Sequence, residues 1–189
     1  MSYVSDRDEL TNILLNKNGV EVLDYSNKIL ELVPELIVCK CEHEHRAHKY
    51  NVYTHILHVV AGVDSDLTLK LSALFHDIGK PYVKKKINEK VHYWGHEEVS
   101  CIISKLVLNR LGYDESIIHD VCTLIKIHDK KIKPTNNEIK LVVDRIGKIN
   151  FERLLKLQTS DVSAHANDYA QIVIPKLEKI KEVYVNNRF

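Results

Sequence analysis

The chain has 189 residues, with 27 Lys+Arg against 26 Asp+Glu and a formal net charge of +1. That length fits one domain, residues 1–189, with room for a full core, and the balanced charge excludes a global field that would draw the protein to nucleic acid. Few Gly and Pro favour helices over a β-rich fold, and 11 histidines are the unusual number in the composition.

In chain order, residues 6–17 predict a short helix. Asp6 would cap it, Glu9 stands three residues on, and Leu10, Ile13 and Leu14 form one face. Asn18-Gly19 ends it. A second helix over 22–33 stops before Pro34. Residues 39–49 hold Cys39, Cys41, His43, His45 and His48. Thiols and imidazoles at that density suggest zinc, but the Cys-x-Cys spacing is tighter than the usual structural site and no second Cys pair follows. The alternative is a polar loop leading into the next helix. That helix, over 50–61, carries the stripe Val52, His55, Val59. His58, one turn on, reads as structural or as support for a metal ligand.

The central helix starts at Ser65 or Asp66. Leu67, Leu71, Leu74, Phe75 and Ile78 repeat at helical spacing, so it faces a core. It closes with His76 and Asp77, then Gly79, which permits a tight turn, and Pro81, which is expected to stop further winding. A carboxylate at this end of a helix opposes the macrodipole. Lys80 or a bound cation is expected to compensate it, and a plain structural His–Asp pair is the alternative. Lysines 84–86 begin a short hairpin with its turn at Asn88-Glu89. They read either as a solvated run or as holders of an anionic substrate.

His96 opens a helix with the stripe Val99, Ile102, Ile103, Leu106, Val107 and Leu111, ended by Gly112. Another covers 114–128 with the stripe Ile117, Ile118, Val121, Leu124 and Ile125, and His128 closes it. A basic loop holding Lys130, Lys131 and Lys133 leads to a helix capped by Thr135 or Asn136 and ended by Gly147. A helix over 151–165 places Leu154, Gln158 and Asp161 on one face. Pro175 begins or interrupts the last helix, which runs to about Tyr184. The fold class is therefore all-α, a helical bundle with one short β-hairpin.

Cys101 and Cys122 fall in helical patterns and read as core thiols. The Met1 end lacks a basic segment followed by an apolar one, so no signal peptide is expected. No apolar run approaches a membrane span. A cytoplasmic, reduced protein is the expectation.

His55, His76, His96 and His128, with Asp77 and Asp161, thus lie on or beside core-facing stripes of different helices. Unpaired charges there would each cost several kcal/mol, and a shared metal centre satisfies all of them at once. Imidazole and carboxylate donors without a thiolate suit Fe, Mn, Zn, Co or Ni better than Ca or Mg.

The order His…His-Asp…Asp resembles the signature of the HD-domain metal-dependent phosphohydrolase superfamily. Four motifs carry the resemblance: His-Lys-Tyr-Asn-Val-Tyr-Thr-His at 48–55, His-Asp-Ile-Gly-Lys-Pro at 76–81, Tyr-Trp-Gly-His-Glu at 93–97 and Thr-Ser-Asp-Val at 159–162. The closer likeness is to the HD domain of bacterial CCA-adding enzymes, over about Gly19 to His165. Asn51 stands where that family usually has Asp. No Gly-Ser with paired Asp precedes residue 50, so the expectation is a stand-alone HD domain that does not add nucleotides to tRNA.

The resemblance implies an HD helical bundle and a site of one or two divalent ions. With one ion, the ligands would be His55, His76, Asp77 and Asp161, and His96 and His128 would contact phosphate or donate a proton. With two, Asp77 would lie between them, with His55, His76 and Asp161 on the first and His96 and His128 on the second. Asp77 and Lys80 are implied as catalytic residues, and Lys80 and His48 as substrate contacts. The implied reaction is hydrolysis of a phosphomonoester or phosphodiester of a small substrate, a nucleotide or 2′,3′-cyclic nucleotide. A di-iron oxygenase with the same ligands and a non-catalytic nucleotide-binding module are the alternatives. Nucleic acid could meet the two lysine runs, but neither interleaves with aromatics.

Overall fold

The computed structural model describes residues 5–17, 19–44 and 49–187. Helix α1 (Asp6–Asn16) buries Leu10, Ile13 and Leu14 as their spacing predicts. Its cap is Ser5, whose hydroxyl accepts from the Asp8 amide, and Asp6 lies inside the first turn. The helix expected over 22–33 is two, α2 (Glu21–Asp24) and α3 (Ser26–Leu32), because Tyr25 leaves helical geometry at ψ 10°. A 3-10 helix then covers Pro34–Lys40, with Pro34 in its first turn, where a missing N–H costs nothing.

Helix α4 (Val52–Gly62) is capped by Asn51, whose side-chain oxygen accepts from the Thr54 amide at 2.8 Å. Asn and Asp cap about equally well, so the departure at 51 leaves the start of this helix intact. Helix α5 (Leu67–Phe75) is capped by Asp66 in the same way. Pro81 does not stop the winding that follows. It sits in the first turn of α6 (Lys80–Val83), the one helical position that tolerates proline. Strands β1 (Lys85–Ile87) and β2 (Lys90–His92) pair antiparallel with Lys86 opposite Val91. Asn88 and Glu89 both take positive φ, 47° and 61°, as a two-residue hairpin requires.

Helix α7 (His96–Leu111) turns a different face inward from the one its apolar residues predict. His96, Ser100, Ser104 and Val107 are buried, while Ile102 and Leu106 are 59% and 68% exposed. The reason is the turn before α6. The Gly79 amide donates to Ser100 Oγ at 2.9 Å, and a Cβ at Gly79 would collide with the His96 carbonyl. Backbone that close demands small polar side chains on the facing helix.

The chain continues with α8 (Glu115–Ile127), α9 (Asn136–Ile146, capped by Thr135), α10 (Lys148–Ser163) and α11 (Asn167–Asn187). Pro175 neither begins nor ends α11 but lies within it. Helix α5 is central and packs on α4, α7, α8 and α10. One buried apolar cluster runs from Leu10 of α1 to Ile180 of α11. Helices α4 and α10 approach closely, since Ser160 Oγ donates to the Val59 carbonyl at 2.8 Å and a Cβ on Gly62 would strike that hydroxyl. This contact brings Asp161, the next residue on α10, against α4. The architecture is all-α with one small hairpin. Among the described residues no helix is long and apolar enough to cross a membrane.

Candidate metal centre

Five helices deliver six side chains to one place. His55 comes from α4, His76 and Asp77 from the end of α5, His96 from the start of α7, His128 from the end of α8 and Asp161 from α10, and all are buried. His55 Nε2 lies 2.9 Å from Asp161 Oδ1 and 3.6 Å from Asp77 Oδ2. His76 Nε2 lies 3.3 Å from Asp77 Oδ2 and 3.7 Å from Asp161 Oδ1. On the other side, His96 Nε2 and His128 Nε2 lie 3.4 and 3.8 Å from Asp77 Oδ1.

The imidazoles are aimed by backbone carbonyls three residues upstream. Nδ1 of His76 meets the Ala73 carbonyl at 2.8 Å, that of His96 meets Tyr93 at 2.9 Å and that of His128 meets Ile125 at 2.7 Å. A carbonyl only accepts, so each Nδ1 carries a proton and donates it, and Nε2 is left to face inward. His96 Nε2 and His128 Nε2 are 3.3 Å apart. In the neutral rings those are two lone pairs facing each other, which repel unless a proton or a cation lies between them. Gln158 holds this corner by donating to the His128 and Lys130 carbonyls at 2.7 and 2.9 Å, where α8 ends without helical partners.

Burial alone would raise the pKa of both carboxyls. His76 and Lys80 hold Asp77, and His55 and His76 hold Asp161, well below the carboxylate range. Lys80 Nζ lies 2.7 Å from Asp77 Oδ2. Burial works against its charge, but Asp77 and Asp161 more than offset that and raise it. His76 follows the same logic: burial opposes its proton, yet the two carboxylates lift it to about 10. Burial lowers His55 and His128. Two buried carboxylates against one ammonium leave a negative charge to be matched, and an unmatched charge at this depth is expensive. Either a proton on His76 or a cation meets that need.

The donor set fits a cation. His76 Nε2, both Asp77 oxygens and Asp161 Oδ1 are buried and face one another and the neighbouring charged groups. Among the described residues three groups have donor atoms mutually within 4.8 Å: His55, His76 and Asp77; Asp77, His96 and His128; and His55, Asp161 and His165. Imidazole nitrogen with carboxylate oxygen suits first-row divalent metals. His165 was not among the residues singled out by sequence. It stands four residues after Asp161, the same-face spacing of a helix, and its Nδ1 donates to the Asp161 carbonyl at 2.7 Å.

The described part of the run at 39–49 differs from both expectations. Cys39 lies in the last turn of the 3-10 helix, buried, with Sγ 3.9 Å from the Ile78 carbonyl. Burial pushes its thiol up, away from the thiolate that zinc requires. Among the described residues no metal-competent group includes Cys39, Cys41 or His43. His43 is no solvated loop residue either. It is buried, and its Nε2 accepts from Lys80 Nζ at 3.2 Å. Burial and then the Lys80 charge pull its pKa down to about 2, so it stays neutral. His45 and His48 lie outside the described residues. His58 stacks on Tyr50, with centroids 4.2 Å apart, and belongs to none of the three groups. Lys84, Lys86 and Lys130 pair with Glu44, Glu89 and Glu138 at the surface, contacts that contribute little to stability.

A cleft of about 300 Å³ opens onto the centre between Lys80, Tyr93, His96, Asp129, Asp161 and His165. A larger hollow of about 490 Å³ between the end of α4, α10 and α11 touches none of the six convergent residues. It is lined instead by Leu155, Ile174, Leu177 and Tyr184 among others.

A model of the HD domain matches residues 47–170, and the chain belongs to that family of metal-dependent hydrolases. It is similar to the CC-adding tRNA nucleotidyltransferase of Thermus thermophilus, with 26% identity over 132 residues. The match covers 65% of this chain and 30% of that relative, so the chain spans under a third of the relative's length. HD domains bind divalent metals, and the buried His/Asp groups here are able to hold one.

Proposed function

We propose that this chain is a metal-dependent phosphohydrolase acting on nucleotides, as phosphomonoesters or 2′,3′-cyclic phosphodiesters. The observation that carries the reading is the division of Asp77. Its Oδ2 faces His55 and His76 at 3.6 and 3.3 Å, and its Oδ1 faces His96 and His128 at 3.4 and 3.8 Å. A carboxylate with a separate imidazole pair on each oxygen suits two cations. His55, His76 and Asp161 would hold the first and His96 and His128 the second, with Asp77 shared. Such a pair of divalent ions acidifies water and offsets charge on a phosphoryl group.

The protein's own groups do the rest. Each Nδ1–H bond to a carbonyl fixes an imidazole before substrate arrives. Lys80 Nζ lies 2.7 Å from Asp77 and borders the cleft, so its ammonium can meet a phosphoryl oxygen as charge develops there. His43, neutral, holds Lys80 from behind. The helices exclude bulk water from the carboxylates, which strengthens each of these contacts. The nucleotide class is carried over from the tRNA-directed relative, and nucleotide addition is not.

The test is phosphate release by protein loaded in turn with Mn, Co, Ni, Zn and Fe(II). The panel is mononucleotides, 2′,3′-cyclic nucleotides and generic phosphodiesters. Turnover that disappears in Asp77→Asn is the expected result. A panel left untouched by every metal form contradicts hydrolysis, and nucleotide binding without turnover would replace it with nucleotide sensing.

A further inference from the structure

The cleft carries a feature that phosphoryl chemistry does not use. Trp94 lines it, as does His92 from the end of β2. The two rings are stacked, with centroids 4.2 Å apart and planes 24° from parallel. Trp94 is nonetheless 67% exposed. An indole normally stabilises a protein by burying a large apolar area, and this one does so to only a small degree. Two residues on, His96 enters the ion-facing cluster. Gly95 between them takes φ 79°, a left-handed turn that L side chains rarely adopt, and the indole and the ion-facing imidazole on either side of it line the same cleft. Tyr169, its ring 5.0 Å from that of His165, contributes a further aromatic to the same cleft.

The charges in the cleft restrict what those rings can meet. Among the described residues its lining includes Lys80 as the one Lys or Arg, and that ammonium also pairs with Asp77. Glu97, Asp129 and Asp161 line it too. A single phosphate can be met at the ion-facing end, but among the described residues the lining holds no row of cations for a di- or triphosphate tail. That lining suits a remainder of the substrate that is flat and weakly charged and able to lie on an aromatic face. A volume of about 300 Å³ is at the small end of ligand sites and suits one such unit.

Resting on the phosphohydrolase reading above, we infer that the Trp94–His92 stack is a base-binding platform, which makes the substrate a nucleotide unit bearing one phosphate. Aromatic stacking accepts every base through its π-face, so the platform selects nucleotides over other phosphoesters without demanding one base.

Trp94 is the sole tryptophan of the chain, so intrinsic fluorescence reports on it directly. Metal-loaded protein is titrated with the four nucleoside 5′-monophosphates and with ribose 5-phosphate, which has the same phosphate and no base. Quenching by the nucleotides but not by ribose 5-phosphate is expected, and calorimetry should show the nucleotides binding more tightly. Trp94→Ala should weaken nucleotide binding by roughly 5- to 100-fold, with the loss falling on nucleotides rather than on ribose 5-phosphate, and Trp94→Phe should recover most of it. A trinucleotide with a terminal phosphate separates a free nucleotide from a strand end as the source of the unit. Equal binding of nucleotides and ribose 5-phosphate, or an equal loss for both in Trp94→Ala, overturns the platform while leaving the phosphate site standing. Binding of neither compound overturns the reading of the centre, and the platform with it.

Discussion

On one side of Asp77, His55 and His76 face a second carboxylate, Asp161, with His165 behind it. On the other side, His96 and His128 face each other at 3.3 Å, and the further carboxylates, Glu97 at 3.5 Å and Asp129 at 3.6 Å from His96, are 33% and 56% exposed in their side chains. The first side can satisfy itself with protons, because its carboxylates hold His76 charged. The second side has imidazole lone pairs directed at one another and little buried negative charge of its own. The difference teaches that the two halves should answer differently to loss of metal, of protons or of a ligand.

The largest effect is expected at the shared residue. Asp77→Asn keeps the shape of the side chain and removes the charge that both halves use. Metal analysis should find both ions lost and activity at background. Lys80 is then left buried without its partner, which should cost about 3–5 kcal/mol of stability in a denaturant melt. Asp161→Ala comes next, because it touches the first side alone. Bound metal should fall by one equivalent while the His96–His128 pair keeps its share, and loss of both ions would contradict the division.

A pH series separates the sides without mutation. His76 is raised from 6.5 to about 10 in the fold. Its proton therefore stabilises the chelated protein fully below about pH 6.5, and that contribution is lost as pH climbs towards 10. Asp77 and Asp161 are depressed, so their contribution is present above 3.8 and lost as pH falls below it. Chelated protein should thus lose thermal stability between pH 6.5 and 10, and metal-loaded protein should lose less because the cation replaces the proton. Parallel curves with and without chelator would contradict this. The smallest effect is expected from Gly79→Ala, which crowds the His96 carbonyl and Ser100. It should cost about 1–3 kcal/mol and weaken the second ion more than the first, read as a shift in the weaker of two metal-binding steps.

Much of this site was legible because helical periodicity is a local signal. His55, Asp161 and the close of α5 stand where the 3.6-residue repeat of their neighbours places them against a core. What escaped depends on contacts distant in sequence. The inward face of α7 was misread because its apolar residues mark a plausible stripe of their own, and only the nearness of Gly79 turns Ser100 and Ser104 inward. His43 hid inside a polar run, since its burial depends on Lys80, 37 residues away. The break at Tyr25 has no composition signal, as neither Gly nor Pro marks it. His165 was within reach of the i, i+4 rule applied to Asp161, but the motif that drew attention to that helix ends before it.

Metal stoichiometry by mass spectrometry, on protein purified without chelator, tests the shared role of Asp77 most directly when wild type and His128→Ala are measured side by side. Two ions per chain in the wild type and one in the variant is the predicted result. One ion in both, or two in both, would contradict it.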